Sequence, residues 1–218
     1  MNSGGAMRQE IIESESRAKR PSGRPRSESS RTAILIAAYS FLRDHPVASI
    51  SLLHIARKAG VSSATVYRWW PTKEAVLLDA FLSKADRALV LQSEGSPLER
   101  LKEYILQVGR FFTGESGIVA ARLLTAIQDN PILRKEFLER VYLPREKEFR
   151  AVVKEAIQLR QLPAAMEVSV FLDLFIGPLL ARLLIHHEQI DEAFVISVFD
   201  RVVAGTMAQD AAGKSRQA

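Results

Sequence analysis

Apolar residues recur at every third or fourth position along almost the whole chain, and this spacing constrains the fold more than any other feature. One clear run consists of Leu98, Leu101, Ile105, Val108 and Phe112. Side chains three or four residues apart lie on one face of an α-helix, whereas a strand requires strict alternation. No segment of the sequence alternates in that way. The sequence therefore predicts an all-α fold.

Capping residues and glycine divide the first part of the chain into four predicted helices. Ser51, Ser62 and Thr72 each precede a periodic run and are natural N-caps, whose side-chain oxygens accept a backbone N–H. Gly60 supplies a left-handed stop between the second and third runs. The spacing predicts helices over residues 31–45, 51–59, 62–70 and 72–91, followed by the break QSEGSP.

The rest of the chain has the same periodicity. It predicts helices over residues 98–112, 118–128, 130–161, 164–187 and 191–208. Pro144 predicts a kink or a boundary within the third of these helices. The strongly apolar run VFLDLFIGPLLARLLI is shorter than the roughly 20 residues that a membrane span needs. Because it also contains Asp173 and Arg182, it predicts a buried helix.

Composition excludes several classes of protein. The 218 residues are 47% hydrophobic, which suffices for a packed core, and they include no cysteine. Disulfide scaffolds, thiolate catalysis and zinc-finger frameworks are therefore excluded. The first 30 residues lack the apolar region of a signal peptide, so we expect a cytoplasmic protein.

Positive charge is concentrated near the N-terminus. Residues 17–73 contain eleven Lys and Arg against two acids, a balance of +9, whereas residues 1–16 and 74–218 each sum to −2. A concentrated basic field is typical of a protein that binds a polyanion. A basic surface that only aids solubility is the alternative.

Residues 51–70 fit a helix-turn-helix unit, in which a short turn joins two packed helices. Ala56 is small enough for the second helix to cross closely, Gly60 can adopt a positive φ, and Val66 fills the space between the helices. Trp70 is assigned to the core. The other side chains of GVSSATVYRWWPTKE face outwards, where a recognition helix meets the major groove of DNA.

The candidate DNA-binding residues lie on that outer face, at the helix ends and on a flanking arm. They are Arg24, Arg26, Ser62, Ser63, Ala64, Thr65, Tyr67, Arg68, Trp69 and Lys73. Hydroxyls and Lys can bind phosphates, Arg can bond O6 and N7 of guanine, and arginines on an extended arm suit the minor groove. Trp69 either contacts a sugar or thymine methyl or covers the hydrophobic seam. The alternatives are helix capping for the hydroxyls and solubilising charge for the arginines.

This part of the chain resembles the DNA-binding domain of the TetR family of transcriptional regulators. The family pattern is met by Tyr67, Trp70, Thr72, Lys73 and Glu74. Leu53 and Trp69 depart from the residues usual at their positions, so no base preference is carried over. The resemblance implies a homodimer that binds a palindromic double-stranded DNA operator and is released by a small-molecule ligand, with no cofactor.

The predicted organisation combines this resemblance with the pattern of helices and breaks. Residues 1–30 form a disordered basic arm, 31–80 the helix-turn-helix DNA-binding domain, 81–210 a larger helical ligand-binding and dimerisation domain, and 211–218 a tail.

The last two helices are candidates for the dimer interface. We expect it to contain Leu179, Leu183, Phe194, Val195, Val198, Phe199 and Val202. Apolar residues cover more than one face of 191–208, which suits a helix that contacts both its own domain and a partner. The alternative is that these side chains only complete the core of one subunit.

A ligand cavity is expected among the helices between residues 98 and 187. Its candidate lining residues are Phe111, Phe112, Arg122, Leu124, Gln128, Tyr142, Phe149, Phe171 and Phe175, with Asp173 as a further polar anchor. The alternative for each aromatic side chain is an ordinary place in the core.

The sequence argues against an enzyme and against a membrane-bound adaptor. The four histidines have no metal-binding spacing, and no nucleophile, phosphate-loop or dinucleotide motif occurs. Residues 17–31 carry too few large apolar side chains to form an amphipathic membrane helix. Neither catalysis nor membrane contact is expected.

Overall fold

The computed structural model describes residues 28–164 and 166–215, and within them the chain forms ten α-helices and no strand. The all-α prediction is confirmed. The first four helices are α1 Glu28–Asp44, α2 Leu52–Lys58, α3 Ser63–Trp69 and α4 Lys73–Ala88, with a 3₁₀ turn Val47–Ser49 between α1 and α2. The three predicted N-caps are confirmed, because Ser51, Ser62 and Thr72 each accept the backbone N–H three residues later.

Six α-helices and two π-helical turns make up the rest of the described chain. The helices are α5 Pro97–Phe111, α6 Gly114–Asp129, α7 Pro131–Phe137, α8 Leu143–Gln158, α9 Val168–Ala181 and α10 Glu192–Ser215. The turns Leu138–Tyr142 and Arg182–His186 follow α7 and α9. The boundary predicted near Pro144 is confirmed, since this residue stands in the first turn of α8, where the missing N–H of proline is least costly.

Several helix boundaries differ from the predicted ones, and three of them lie in polar segments. Helix α1 begins at Glu28, inside the predicted arm, α6 begins at Gly114 rather than at 118, and α10 continues to Ser215, inside the predicted tail. Acidic residues in the first turn of a helix, here Glu28 and Glu115, are favourable beside its N-terminal dipole. Such polar turns are helical, but apolar periodicity does not detect them.

Gly60 closes the turn between α2 and α3 with a φ of +67°. No described atom outside its chain neighbours lies within 4 Å of the position of an added Cβ, so an alanine would meet only a conformational cost. Gly60→Ala is expected to lower the free energy of unfolding by about 1–2 kcal/mol, measured by urea denaturation. Gly205→Ala in α10 is the matched control and should be neutral or stabilising. Equal stability of the two variants would contradict the conformational argument.

The buried side chains form two cores. The first contains residues of α1 to α4 and is completed by others from α6, α7 and the π turn that follows it, such as Leu123, Leu133 and Val141. The second contains residues of α5, α8, α9 and α10. The predicted domain boundary at residue 80 therefore passes through the first core, whose members continue beyond it to Phe81 and Ala85.

Helix α10 lies very close to α5 at Gly109. A Cβ added to Gly109 would stand 2.6 Å from Cγ2 of Val195 and 3.5 Å from Cγ2 of Ile190. Protein interiors are too densely packed to absorb such an overlap without movement. The missing side chain of Gly109 therefore sets the distance between the two helices.

Helix α9 and its π turn are unusually apolar. Val168–His186 is long and apolar enough to cross a membrane by length and composition, but a core helix of a soluble protein can meet the same test. Only 22% of the most apolar 18 residues of this segment is buried within the described part of the chain. The prediction of a buried helix is therefore wrong for one face, where Val170, Leu174 and Ile185 are exposed. Within a single subunit, only the face of α9 that packs on the second core is buried.

Candidate functional site

Helix α3 is a seven-residue helix fixed along one face and at both ends. Val66 and Ala56 are both buried, as predicted for the crossing of α2 and α3. At the C-terminal end Trp70 is buried, and its Nε1 donates a hydrogen bond to Oδ2 of Asp79 on α4 at 2.8 Å. The assignment of Trp70 to the core is confirmed. These contacts leave the opposite face of α3 towards solvent.

That opposite face carries most of the predicted DNA-binding residues. The exposed ones are Ser62, Ala64, Tyr67 and Arg68, and the half-buried ones are Ser63 and Thr65. Tyr67 is 57% exposed, which is unusual for a large aromatic side chain without a binding partner. The hydroxyls of Ser62 and Thr65 lie 2.9 Å apart, so Thr65 supports the helix cap. The face offers a phenol, a guanidinium group and a methyl group, which can contact phosphate, guanine and thymine.

Trp69 covers the edge of the first core. It is half-buried and packs against that core, with its ring centroid 5.9 Å from that of Trp70. The guanidinium carbon of Arg31 on α1 lies 5.9 Å from the Trp69 ring centroid, within the range of a cation–π contact. Of the two predicted roles, its position supports covering the hydrophobic seam.

Lys73 stands at the first position of α4, half-buried rather than freely exposed. Its Nζ donates a hydrogen bond to the carbonyl oxygen of Val47 at 3.2 Å, which joins the 3₁₀ turn to α4. An ammonium group has three donors, so two remain for a phosphate. Arg24 and Arg26 lie outside the described residues, and their predicted contacts remain predictions.

The helix-turn-helix unit contains two further cations that the sequence reasoning did not place in the site. Arg57 and Lys58 are exposed in the last turn of α2. The Nζ of Lys58 donates to the hydroxyl of Ser40 at 2.6 Å and lies 5.0 Å from the ring centroid of Phe41. The charge balance of residues 17–73 included both cations and was the available signal.

An apolar cavity of about 190 Å³ lies between the two cores. Phe81 and Val141 of the first core and Tyr104 and Leu172 of the second core contribute to its wall. The predicted lining residues found at the wall are Phe111, Phe112, Leu124, Tyr142 and Phe149. A molecule bound here would contact both cores at once.

The other predicted lining residues are not at the wall of this cavity, and their contact with a ligand remains a prediction. They are Phe171, Phe175, Arg122 and Gln128, together with the suggested anchor Asp173. Phe171 and Phe175 belong to the second core, where the Phe175 ring stacks on Phe199 of α10 with centroids 5.2 Å apart. Gln128 is exposed and donates to the carbonyl oxygen of Leu124. Helix α9 instead turns Leu172, Ile176 and Leu180 towards the cavity.

The wall residues that carry polar groups are Tyr104, Tyr142, Arg145 and Glu146, of which only Tyr142 was predicted, and the surface that faces the cavity is apolar. Burial raises the pKa of Tyr104 and of Tyr142, so both phenols are protonated at neutral pH. Oε1 of Glu146 accepts hydrogen bonds from Nε and Nη2 of Arg150 at 2.9 and 2.6 Å. No group of three or more His, Asp or Glu side chains among the described residues is placed to hold a metal ion.

Two of the three guanidinium nitrogens of Arg145 donate hydrogen bonds, and the third does not. Its Nη1 donates to the carbonyl oxygen of Val141 at 3.0 Å, and its Nη2 donates to Oδ1 of Asp86 at 2.7 Å. Its Nε is buried and has no hydrogen-bond partner within the described part of the chain. A buried donor without an acceptor is costly and uncommon in native proteins.

The predicted interface residues divide into two groups. Leu179, Val195 and Phe199 are buried in their own subunit, which agrees with the alternative that they complete its core, and their assignment to the interface remains a prediction. Leu183, Phe194, Val198 and Val202 are half-buried. The large apolar side chains of α9, its π turn and α10 that face solvent within the described residues are Val170, Leu174, Ile185 and Met207. The sequence showed apolar residues around both helices, but not which face each core would cover.

A chain of polar contacts connects α3 to the cavity wall. Asp79 on α4 accepts one hydrogen bond from Nε1 of Trp70 and another from Nη2 of Arg140, which lies in the π turn Leu138–Tyr142. Val141 and Tyr142, the next residues of that turn, line the cavity. A displacement of the turn would therefore act on the C-terminal end of α3.

A solvent-facing short helix on a helix-turn-helix module, joined to a helical domain with an apolar cavity, defines a helix-turn-helix transcriptional regulator. Residues 34–80 match the family described as bacterial regulatory proteins, tetR family. Residues 91–202 match the family described as tetracyclin repressor-like, C-terminal domain. The chain belongs to the TetR family of transcriptional regulators.

Individual relatives agree with this assignment. The HTH-type transcriptional regulator YdeS of Bacillus subtilis is 33% identical over 189 residues, which cover 87% of this chain and 96% of YdeS. The crystal structure of the TetR family regulator SCO0332 has a TM-score of 0.66 at 26% identity and covers 81% of this chain and 97% of its own. FadR from Bacillus subtilis in complex with stearoyl-CoA shares the fold, with a TM-score of 0.68 at 19% identity over 80% of this chain and 98% of FadR.

Proposed function

We propose that the protein is a homodimeric repressor in the cytoplasm that binds a palindromic double-stranded DNA operator and is released by a small-molecule ligand. The solvent-facing side of α3, held rigidly by Val66 and Trp70 and bordered by cations of α2 and α4, is the observation that carries this proposal. Its exposed Tyr67 and Arg68 are suited to the major groove.

The exposed apolar face of α9 supports the homodimer. Val170, Leu174 and Ile185 line one side of a helix that its own chain leaves largely uncovered. A two-fold axis brings the same face of a second subunit against it, so that each helix covers its counterpart. Two recognition helices then bind two half-sites, which explains why the operator would be palindromic.

The position of the cavity supports release by a ligand. Both cores contribute to its wall, which includes part of the π turn Leu138–Tyr142. In this turn Arg140 bonds Asp79, and Asp79 in turn bonds Trp70. A ligand that displaces this turn would tilt α4 and α3 and alter the distance between the two recognition helices. Binding energy is transmitted in this way only if the ligand prefers one of the two arrangements.

Selection of bound sequences from random duplex DNA at two salt concentrations tests the DNA-binding proposal. Arg68→Ala is expected to cost about 1–3 kcal/mol and to relax the preference at one position of each half-site. Lys73→Ala should weaken binding to all sequences and reduce the slope of log K against log salt by about 1 per subunit. The two variants thus separate base reading from phosphate contact.

The matched control is Arg110→Ala, which removes an exposed arginine of α5 that pairs with Glu103 and Glu192, away from α3. It should bind the selected sequence with unchanged affinity. Selection of a non-palindromic site, or of no site at all, would refute the proposed mode of binding.

A further inference from the structure

The apolar surface of the cavity between the two cores is the observation that constrains its ligand. Four wall residues carry polar groups, but none of these groups reaches the surface that faces the cavity. Arg145 donates through Nη1 and Nη2 to Val141 and Asp86. Oε1 of Glu146 accepts both of its hydrogen bonds from Arg150. A ligand in this cavity therefore finds no hydrogen-bond partner at the described wall.

The lack of a partner at the cavity surface determines which ligand groups can be buried there. Burying a hydroxyl group without a hydrogen bond is unfavourable, and burying an isolated carboxylate or ammonium group is far more so. A methyl group in the same position loses no hydrogen bond and gains free energy by leaving water. An uncharged molecule without polar groups therefore matches this surface best.

The volume of the cavity limits the size of the ligand. At about 190 Å³ it is slightly larger than the roughly 150 Å³ of an engineered apolar cavity that stays dry and binds benzene. The space therefore suits one ring that carries a small alkyl group.

Aromatic side chains make up much of the wall and suit a ring in particular. Phe81 meets Phe111 edge-on with ring centroids 5.7 Å apart, and the centroids of Tyr104 and Phe149 lie 6.4 Å apart. Aromatic rings favour edge-to-face and offset contacts at these distances. A ligand ring can add to the same pattern of contacts.

We propose that the cavity takes an uncharged, hydrocarbon-like molecule about the size of an alkylbenzene, which is recognised by shape and apolar contact without a hydrogen bond. This inference rests on the proposed function, since it names the class of molecule that would release the operator. It goes beyond that function by excluding charged and hydrogen-bonding groups from the site.

Calorimetric titration of the full-length protein in a sealed cell with toluene, phenol and benzoate tests the inference. Toluene and phenol are nearly equal in size and differ in a methyl group against a hydroxyl group. Phenol is expected to bind at least about tenfold more weakly than toluene, because its hydroxyl group would be buried without a partner. Benzoate should show no saturable binding at concentrations at which toluene saturates the protein. A smaller difference between toluene and phenol, saturable binding of benzoate, or no saturable binding of toluene would overturn the inference.

Two variants locate the bound molecule. Ala120 is a buried, small side chain at the wall, so Ala120→Leu adds an isopropyl group that fills part of the cavity and should abolish toluene binding. Leu124→Ala enlarges the cavity and should shift the preference from toluene towards propylbenzene. The second variant is an independent test, because Ala120→Leu also adds bulk to the first core.

Leu159→Ala is the control, because Leu159 is exposed and is not a residue of the cavity wall. It should bind toluene with the affinity of the parent protein. Toluene binding that survives in a folded Ala120→Leu protein, or an order of affinities that Leu124→Ala leaves unchanged, would place the molecule outside this cavity.

Operator binding is measured separately, by gel retardation with and without toluene. If toluene binds in the way described but leaves the operator bound, the ligand class stands and release by ligand is wrong. If phenol binds as well as toluene, the ligand class is wrong whatever happens to the operator. The two failures are therefore distinguishable.

Discussion

Leu174→Arg is expected to convert the protein from a dimer to a monomer. Leu174 is 49% exposed in the middle of the apolar face of α9, which is proposed to meet the same face of a second subunit. In a two-fold interface each substitution occurs twice, and a buried charge without a partner costs about 3–5 kcal/mol. The dissociation constant of the dimer should therefore rise at least about a thousandfold.

Sedimentation equilibrium over a range of protein concentrations measures this change. The matched control is Leu159→Arg, which places the same charge at an exposed leucine after α8 and should leave the assembly intact. The monomer should bind the operator with about half the salt dependence of the dimer, because each subunit supplies half of the phosphate contacts. A Leu174→Arg protein that remains dimeric would show that the interface lies elsewhere.

Phe175→Ala is expected to destabilise the fold by about 3–5 kcal/mol. Phe175 is fully buried, its ring stacks on Phe199 at 5.2 Å, and it meets Phe171 edge-on at 4.8 Å. Removing the ring loses the favourable free energy of burying it away from water, and it leaves a cavity where α9 and α10 pack on each other. Urea denaturation measures the loss.

The comparison is made at one fixed protein concentration, since the stability of a dimer depends on concentration. Leu159→Ala serves as the surface control, with an expected change within about 0.5 kcal/mol. A loss below about 1 kcal/mol for Phe175→Ala would mean that the second core is less tightly packed than these ring contacts indicate.

The helix-turn-helix module could be predicted closely from the sequence because its determinants are local. The positive φ of Gly60, the caps of Ser51 and Ser62 and the crossing at Ala56 and Val66 depend on residues less than twenty positions apart. Each of these positions admits only a few residue types, for steric or hydrogen-bonding reasons. Local chemistry of this kind can be read without knowledge of the remaining chain.

The cavity could be predicted only in part, because its wall depends on which helix faces meet. Periodicity identifies an apolar face, but α9 is apolar on nearly every side, so Phe171 and Phe175 could not be distinguished from Leu172 and Ile176. The π turn before α8 adds a further difficulty. An additional residue in a helical turn rotates those after it by about 100°, which affects the direction of Arg145.

The glycine at position 109 has a consequence for the proposed dimer. The side chain of Val195 on α10 occupies the space that a Cβ at residue 109 of α5 would need. A single methyl group added to residue 109 would push α10 outwards, and the symmetry of the assembly would repeat the shift in the second subunit. Because α9 packs on α10, such a shift would act on the face of α9 that is proposed to form the dimer.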